Sequence, residues 1–127
     1  MNRILVVEDD LLMLRVIEMI LRREGYEADT VMNGKEAALS LKMNTYDLML
    51  IDLKLPFLDL KEMVEQLRAS QSARYFPVLV ILISSFLESS VSSWFGIDAD
   101  EFVHKPVSPY DLAGKVNRLL GYGRVEV

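Results

Sequence analysis

Short apolar runs alternate along the chain with stretches whose apolar residues recur at helical spacing, and this alternation repeats five times. The runs are continuous, which is typical of strands that are buried on both faces of a parallel sheet. We therefore predict five strands, at Ile4–Val7, Tyr26–Val31, Leu48–Ile51, Val78–Ile83 and Phe102–Val103.

The amphipathic segments that follow these strands are predicted to be helices. The last of them has the clearest start, because Ser108 can cap it, Pro109 suits its first position and Gly121 can end it. Strand–helix alternation at this spacing predicts a doubly wound α/β fold, a (βα)5 parallel sheet with helices on both faces and right-handed crossovers. The first predicted helix is capped by Asp9 or Asp10, carries an apolar stripe from Met13 to Leu21 and can end at Gly25. The others are predicted at Lys35–Met43, Leu60–Ala69, Leu87–Phe95 and Pro109–Leu120.

The chain has 127 residues, 51% of them hydrophobic, which suits one domain with a core of its own. We expect the domain to cover 1–122 and a C-terminal tail, 123–127, that could begin a linker. The sequence has no cysteine, so a disulfide framework and a thiolate metal site are both excluded.

The chain is acidic, with 19 acids against 14 basic residues and a net charge of −5. Proteins that grip nucleic acid need a basic patch, and the tightest basic cluster here, Arg22–Arg23, suits the end of a helix. We therefore expect no direct nucleic-acid binding. No apolar run approaches the ~18 residues of a membrane span, and the N-terminus lacks the pattern of a secretory signal. A cytoplasmic protein without membrane contact is the resulting expectation.

Four of the predicted strands end at residues that can do chemistry. Glu8 and Asp9 follow the first strand, Asp52 the third, Ser84 the fourth and Lys105 the fifth. The carboxyl ends of parallel strands meet at one edge of a sheet, where functional residues gather. We therefore expect three carboxylates, a hydroxyl and an ammonium to share a site at this edge.

Three carboxylates in one pocket repel one another unless their pKa values rise, an ammonium approaches or a divalent cation binds. Oxygen ligands without His or Cys suit Mg²⁺, which keeps some of its waters and leaves room for phosphate oxygens. Phosphoryl transfer requires such an arrangement, because its catalysis is mainly positioning and charge stabilisation. A carboxylate can also be the nucleophile, and the product is then an aspartyl phosphate.

Four segments of the chain resemble the receiver domain of response regulators in two-component signalling, a chemotaxis-Y-like family. They are ILVVEDD, LMLIDLKLP, VILISSF and DEFVHKPV, and in this order they span nearly the whole chain. The resemblance implies a flavodoxin-like sheet with the strand order 2-1-3-4-5. It also implies that Asp52 is the phospho-acceptor, and that Mg²⁺ is held by Glu8, Asp9, Asp52 and the backbone carbonyl of Lys54.

The same resemblance assigns roles to residues on the fourth and fifth strands. Ser84 and Lys105 would contact the phosphoryl group, and Ser84 and Phe102 would form the conformational switch. The Lys105–Pro106 peptide bond is a candidate for the cis form, which is essentially confined to bonds that precede proline.

The resemblance implies a signalling domain rather than an enzyme, one that catalyses only its own phosphorylation and autodephosphorylation. The phosphoryl group would come from a sensor histidine kinase or a histidine phosphotransfer protein, and the signal would pass to a downstream effector protein or domain. The surface of the fourth helix, fifth strand and fifth helix would change on phosphorylation and could also form a homodimer. Lys54 and Phe86 lie two residues beyond Asp52 and Ser84, and we expect them to make autodephosphorylation slow.

Two features depart from the family pattern. Leu60 stands where the family usually has glycine after an acid, and Pro77 lies further from Ser84 than the family spacing suggests. If the second departure shifts the alignment, Ser85 is the hydroxyl donor.

Other functions fit the fold class less well. A phosphatase with a nucleophilic aspartate places a second acid two residues further on, where this chain has Lys54. A flavin-binding module needs a phosphate-cradling loop after the first strand, where this chain has acids. A degenerate receiver that only docks partners is the third alternative, and Leu60 is the main feature in its favour.

Overall fold

The computed structural model describes residues 2–52, 62, 65, 68–69, 78–84 and 99–121. The chain builds a five-stranded sheet in which every neighbouring pair of strands is parallel and the order is β2-β1-β3-β4-β5. This confirms the predicted fold and strand order. The strands are β1 (Arg3–Val7), β2 (Glu27–Val31), β3 (Leu48–Asp52), β4 (Leu79–Ser84) and β5 (Glu101–His104).

Three helices are described from end to end: α1 (Leu11–Arg23), α2 (Gly34–Met43) and α3 (Pro109–Leu120). The predicted third helix is helical at the four of its residues that are described, 62, 65, 68 and 69. The predicted fourth helix, Leu87–Phe95, lies outside the described residues. None of the helices in the described part of the chain combines the length and the apolar character that a membrane crossing requires.

Each described helix begins at a polar side chain that caps it. The Asp10 carboxylate accepts hydrogen bonds from the backbone N–H groups of Leu12 and Met13 at the start of α1. Asn33 caps α2, and Ser108 caps α3. These caps satisfy N–H groups that have no partner within the helix, so local sequence fixes where each helix starts.

The sheet is buried on both faces, as the continuous apolar runs predict. On one face, alternate strand residues such as Val6 and Leu50 pack against α1 and α3. On the other face, residues such as Val7 and Ile51 pack against Ala37 and other residues of α2. Because neighbouring side chains point to opposite faces, a run without polar residues supplies both layers of the core.

A polar network links the amino ends of β1 and β3 to the middle of β2, away from the acidic residues at the carboxyl edge. The Asp29 carboxylate accepts hydrogen bonds from Arg3 Nε at 3.0 Å and from the Tyr46 hydroxyl at 2.7 Å. The Arg3 backbone N–H donates to the Asp47 carboxylate at 2.8 Å. Tyr46 is fully buried, and its burial raises the pKa of the hydroxyl to about 12. The Tyr46 hydroxyl therefore stays protonated at ordinary pH and can donate to Asp29.

Candidate metal centre

Three carboxylates meet at the carboxyl edge of the sheet, as the sequence predicts. Glu8, Asp9 and Asp52 each offer an oxygen, and these oxygens lie within 4.8 Å of one another. The strand register brings them together, because Val7 pairs with Ile51 in the neighbouring strand and the next residue of each strand carries an acid. Asp9 is exposed, whereas Glu8 is 0% and Asp52 1% exposed.

The buried position of Glu8 changes its acidity. Burial, together with the hydrogen bond to Asp52 and the charge of that residue, raises the pKa of Glu8 to about 8. The backbone N–H of Asp10 donates to Glu8 Oε2 at 3.0 Å and opposes the rise. Without a cation, the buried pair of carboxyl groups therefore keeps a proton at neutral pH.

Lys105 is the ammonium that the sequence predicts at this site. Its Nζ lies 2.9 Å from Asp52 Oδ2, and its side chain is 16% exposed. The backbone N–H of Lys105 donates to the Ser84 carbonyl at 2.8 Å, which joins the end of β5 to the end of β4. The Lys105–Pro106 peptide bond is cis.

The structure places the two predicted switch residues on neighbouring strands. Ser84 is 4% exposed and follows Ile83, the residue of β4 that pairs with Asp52. Phe102 is partly exposed and packs against the core layer on the α2 face of the sheet. The remaining predicted site residues, Lys54, Leu60, Ser85 and Phe86, lie outside the described residues.

The donor set fits a hard divalent cation. It consists of carboxylate oxygens and, among the described residues around it, contains no imidazole. Such oxygens are the ligands of Mg²⁺ and Ca²⁺, and the exposed side of Asp9 leaves room for water and for a substrate oxygen. A cation here would replace the proton that Glu8 otherwise holds.

The family model of the response regulator receiver domain matches residues 4–117 of the chain. The chain is a response regulator receiver domain. The family match includes the three carboxylates, Ser84 and Lys105 within one continuous segment.

Curated relatives of this receiver domain are response regulators. Response regulator ArlR of Staphylococcus saprophyticus is 34% identical over 122 residues, which are 94% of this chain and 53% of that protein. Transcriptional regulatory protein PcoR of Escherichia coli is 33% identical over 124 residues, which are 98% of this chain and 54% of that protein. The chain therefore spans about half the length of these relatives.

Solved receiver domains have the same fold as this chain. The receiver domain of the sensor histidine kinase PA1611 of Pseudomonas aeruginosa, with a magnesium ion in its active-site cleft, has a TM-score of 0.79 and 29% identity. The match covers 94% of this chain and 98% of that one. Response regulator TrrA of Thermotoga maritima, in complex with Mg²⁺ and BeF, has a TM-score of 0.75 and 33% identity over 94% of this chain and 99% of that one.

Proposed function

We propose that this receiver domain accepts a phosphoryl group on Asp52 in a Mg²⁺-dependent reaction and so switches a signalling surface. The observation that carries the proposal is the meeting of three carboxylates within 4.8 Å, with the Lys105 ammonium 2.9 Å from Asp52. The site brings carboxylate oxygens together with an ammonium that can pair with negatively charged oxygens. It lies at the carboxyl edge of the sheet, where a partner protein can reach it.

In the proposed reaction, an oxygen of the Asp52 carboxylate attacks the phosphorus of a phosphohistidine. The new bond joins this oxygen to phosphorus, while the bond between phosphorus and the donor imidazole breaks and its electron pair returns to the imidazole nitrogen. Asp52 is held in place for the attack because it ends β3 and is buried among its neighbours. Such positioning supplies much of the catalysis in phosphoryl transfer.

Lys105 and Ser84 act on the charge that develops. The Lys105 ammonium, which pairs with the Asp52 carboxylate before the reaction, is within reach of the phosphoryl oxygens afterwards. The Ser84 hydroxyl donates a hydrogen bond to another of these oxygens. Movement of these side chains toward the new dianionic group would open space that Phe102 can enter, which is the proposed switch.

Glu8, Asp9, Asp52 and the backbone carbonyl of Lys54 are the proposed Mg²⁺ site. The magnesium ion, when bound, supplies positive charge that neutralises the carboxylates and the transferring phosphoryl group. Glu8 then loses its proton, so that its carboxylate can hold an ordered water molecule at the site.

The proposed domain covers 1–122, and 123–127 form a tail that would lead into a linker. The partners we infer are a sensor histidine kinase or a histidine phosphotransfer protein, and a downstream effector protein or domain. The name of PcoR describes a transcriptional regulatory protein, which supports an effector role for the remainder of such proteins. The surface of the predicted fourth helix with β5 and α3 would carry the signal, either to the effector or through a homodimer. Slow autodephosphorylation, limited by Lys54 and Phe86, completes the proposed cycle.

Incubation with Mg²⁺ and acetyl phosphate, followed by intact-mass spectrometry, tests the proposal. We expect one added phosphoryl group in the natural protein and none in Asp52→Asn, because the amide oxygen is a poor nucleophile. The matched control is Asp10→Asn, since asparagine is also a good helix cap and Asp10 is not one of the three clustered carboxylates. Phosphorylation of Asp52→Asn at the rate of the natural protein would refute the assignment.

A further inference from the structure

The ammonium of Lys115, in α3, donates a hydrogen bond to the backbone carbonyl of Phe102 in β5 at 2.8 Å. Building on the proposed phosphorylation of Asp52, we propose that Lys115 is a positioning residue for this reaction. Its hydrogen bond holds β5 against α3 and thereby fixes where Lys105 meets Asp52. Lys115 itself has no contact with the reacting groups.

β5 is the shortest of the five strands, so contacts from outside the sheet contribute to holding it in place. It has four residues, lies at an edge and pairs only with β4 within the sheet. Polar side chains add further restraint: the Glu101 carboxylate accepts a hydrogen bond from the Phe102 N–H and pairs with Arg118 of α3. Both backbone polar groups of Phe102 thus contact charged side chains, and one of those side chains belongs to α3.

The Lys115 hydrogen bond also closes a ring that contains Lys105. From Phe102 the chain runs through Lys105 and Ser108 into α3, and the hydrogen bond joins its ends across 13 positions. Closing a loop removes conformational freedom from every residue in it. The Lys105 side chain leaves this ring and reaches Asp52 at 2.9 Å.

Lys115 is itself held in place. Its side chain is 24% exposed, and its ammonium also lies 3.3 Å from the carboxylate of Asp111 one turn earlier in α3. Asp111 belongs to the first turn of the helix, where its N–H contacts the Ser108 cap. The ion pair thus links the ammonium to the first turn of the helix, and the hydrogen bond to the Phe102 carbonyl is a separate contact of the same ammonium.

Loss of this bond would leave a partly buried carbonyl without a strong donor and loosen the end of β5. Small displacements of a charge-stabilising group cost rate steeply, by up to about 100-fold per ångström. A loosened strand is a smaller change, so we expect phosphorylation of Asp52 to slow by about threefold to tenfold. Binding of Mg²⁺ should change much less than the rate, because Glu8 and Asp9 follow β1 and Asp52 ends β3, and neither strand pairs with β5.

Four variants distinguish loss of the Lys115 hydrogen bond from other possible causes of slower Asp52 phosphorylation. Lys115→Met removes the donor but keeps an apolar stem, and Lys115→Arg restores a cationic donor. Asp111→Asn removes the ion pair but leaves the bond to the Phe102 carbonyl. Lys42→Met makes the same chemical change on the exposed side of α2 and is the matched control.

The rate of phosphorylation by acetyl phosphate and the Mg²⁺ affinity by calorimetry are measured for each variant. The proposal requires a slower rate in Lys115→Met, recovery to within about twofold in Lys115→Arg, and natural rates in the other two. A natural rate in Lys115→Met would overturn it. So would a slow rate that Lys115→Arg does not rescue and that comes with an equal loss of Mg²⁺ affinity, since the substitution would then have damaged the fold.

Hydrogen exchange tests, without any phosphorylation, whether the Lys115 hydrogen bond to Phe102 restrains β5. The Lys105 N–H, which donates to the Ser84 carbonyl, should exchange about threefold to tenfold faster in Lys115→Met. The Asp47 N–H, which donates to the Arg3 carbonyl on the far side of the sheet, should keep its rate. If the natural protein is not phosphorylated at all, the proposed function fails while this exchange measurement still decides whether Lys115 holds β5. Equal exchange of Lys105 in both proteins would overturn the inference.

Discussion

Glu8 is a buried carboxyl group whose closest charged neighbours include another carboxylate. Its pKa of about 8, against an ordinary value of 4.5, means that the metal-free protein takes up a proton when it folds. Stability from this residue is fully present below pH 4.5 and is lost as the pH rises toward 8, because the unfolded chain gives up its proton first. When no cation is bound, the buried Glu8 therefore lowers the free energy of unfolding as the pH rises.

Glu8→Gln should remove this pH dependence. The amide has a similar shape and no charge to bury, so we expect the free energy of unfolding at pH 8 without metal to rise by about 1–3 kcal/mol. Between pH 5 and pH 8 the natural protein should lose stability relative to the variant. Urea denaturation in the presence of a chelator measures both. Glu65→Gln, at an exposed position, is the control, and parallel curves for Glu8→Gln and the natural protein would contradict the expectation.

At the scale of the elements, local signals predicted the helix starts better than the strand ends. Ser108, Pro109 and Gly121 bound α3 as expected, because caps and left-handed C-termini are properties of neighbouring residues. β5 was predicted as two residues and has four, since its end residues Glu101 and His104 are polar and the apolar pattern does not include them. An edge strand tolerates such residues, and the sequence pattern alone does not show where the edge lies.

The start of α2 shows that an Asn–Gly dipeptide can mark either a turn or the start of a helix. The dipeptide Asn33–Gly34 is typical of a turn, whereas in the structure Asn33 is the N-cap of a helix that begins at Gly34. Its side-chain oxygen accepts a hydrogen bond from the Glu36 N–H at 2.8 Å, and Glu36 Oε1 accepts one from the Met32 N–H at 2.8 Å. The arrangement is similar to a capping box, except that Glu36 reaches the N–H of Met32, one residue before the cap.

Asn33→Ala should therefore lower the free energy of unfolding by about 1 kcal/mol, because the Glu36 N–H loses its acceptor. Asn33→Asp should keep most of the stability, since its carboxylate can accept the same hydrogen bond. Chemical denaturation measures the difference. A cost for Asn33→Asp as large as that for Asn33→Ala would mean that the cap is not the cause.

At the scale of the whole molecule, the sequence predicted which residues meet but not how the helices are tied together. The gathering of Glu8, Asp52 and Lys105 follows from parallel strands and needs no detailed packing. The hydrogen bond of Lys115 to Phe102 does need it, since the reach of a side chain depends on how α3 lies on the sheet. In the sequence, Lys115 is simply a lysine four residues after Asp111, which indicates a surface ion pair.

Binding of Mg²⁺ should stabilise the whole domain, because the folded state alone assembles the three carboxylates. At a concentration 100 times the dissociation constant, the expected gain is about 2.7 kcal/mol, visible as a rise in Tm of several degrees. Asp9→Asn should lose most of this rise, and Asp10→Asn should keep it. Thermal denaturation with and without Mg²⁺ makes the comparison, and a full response in Asp9→Asn would exclude this residue as a ligand.

The two ends of the sheet differ in whether their charged groups are paired with one another or open to binding a proton, a cation or a phosphoryl group. Toward the amino end, Arg3 pairs with Asp29, which also accepts a hydrogen bond from the Tyr46 hydroxyl. At the carboxyl end, three acids face Lys105, the ammonium that the described part of the chain places beside them, and they can still bind a proton, a cation or a phosphoryl group. Substitutions at the carboxyl end can therefore change the reactivity of the domain without altering the polar contacts toward the amino end.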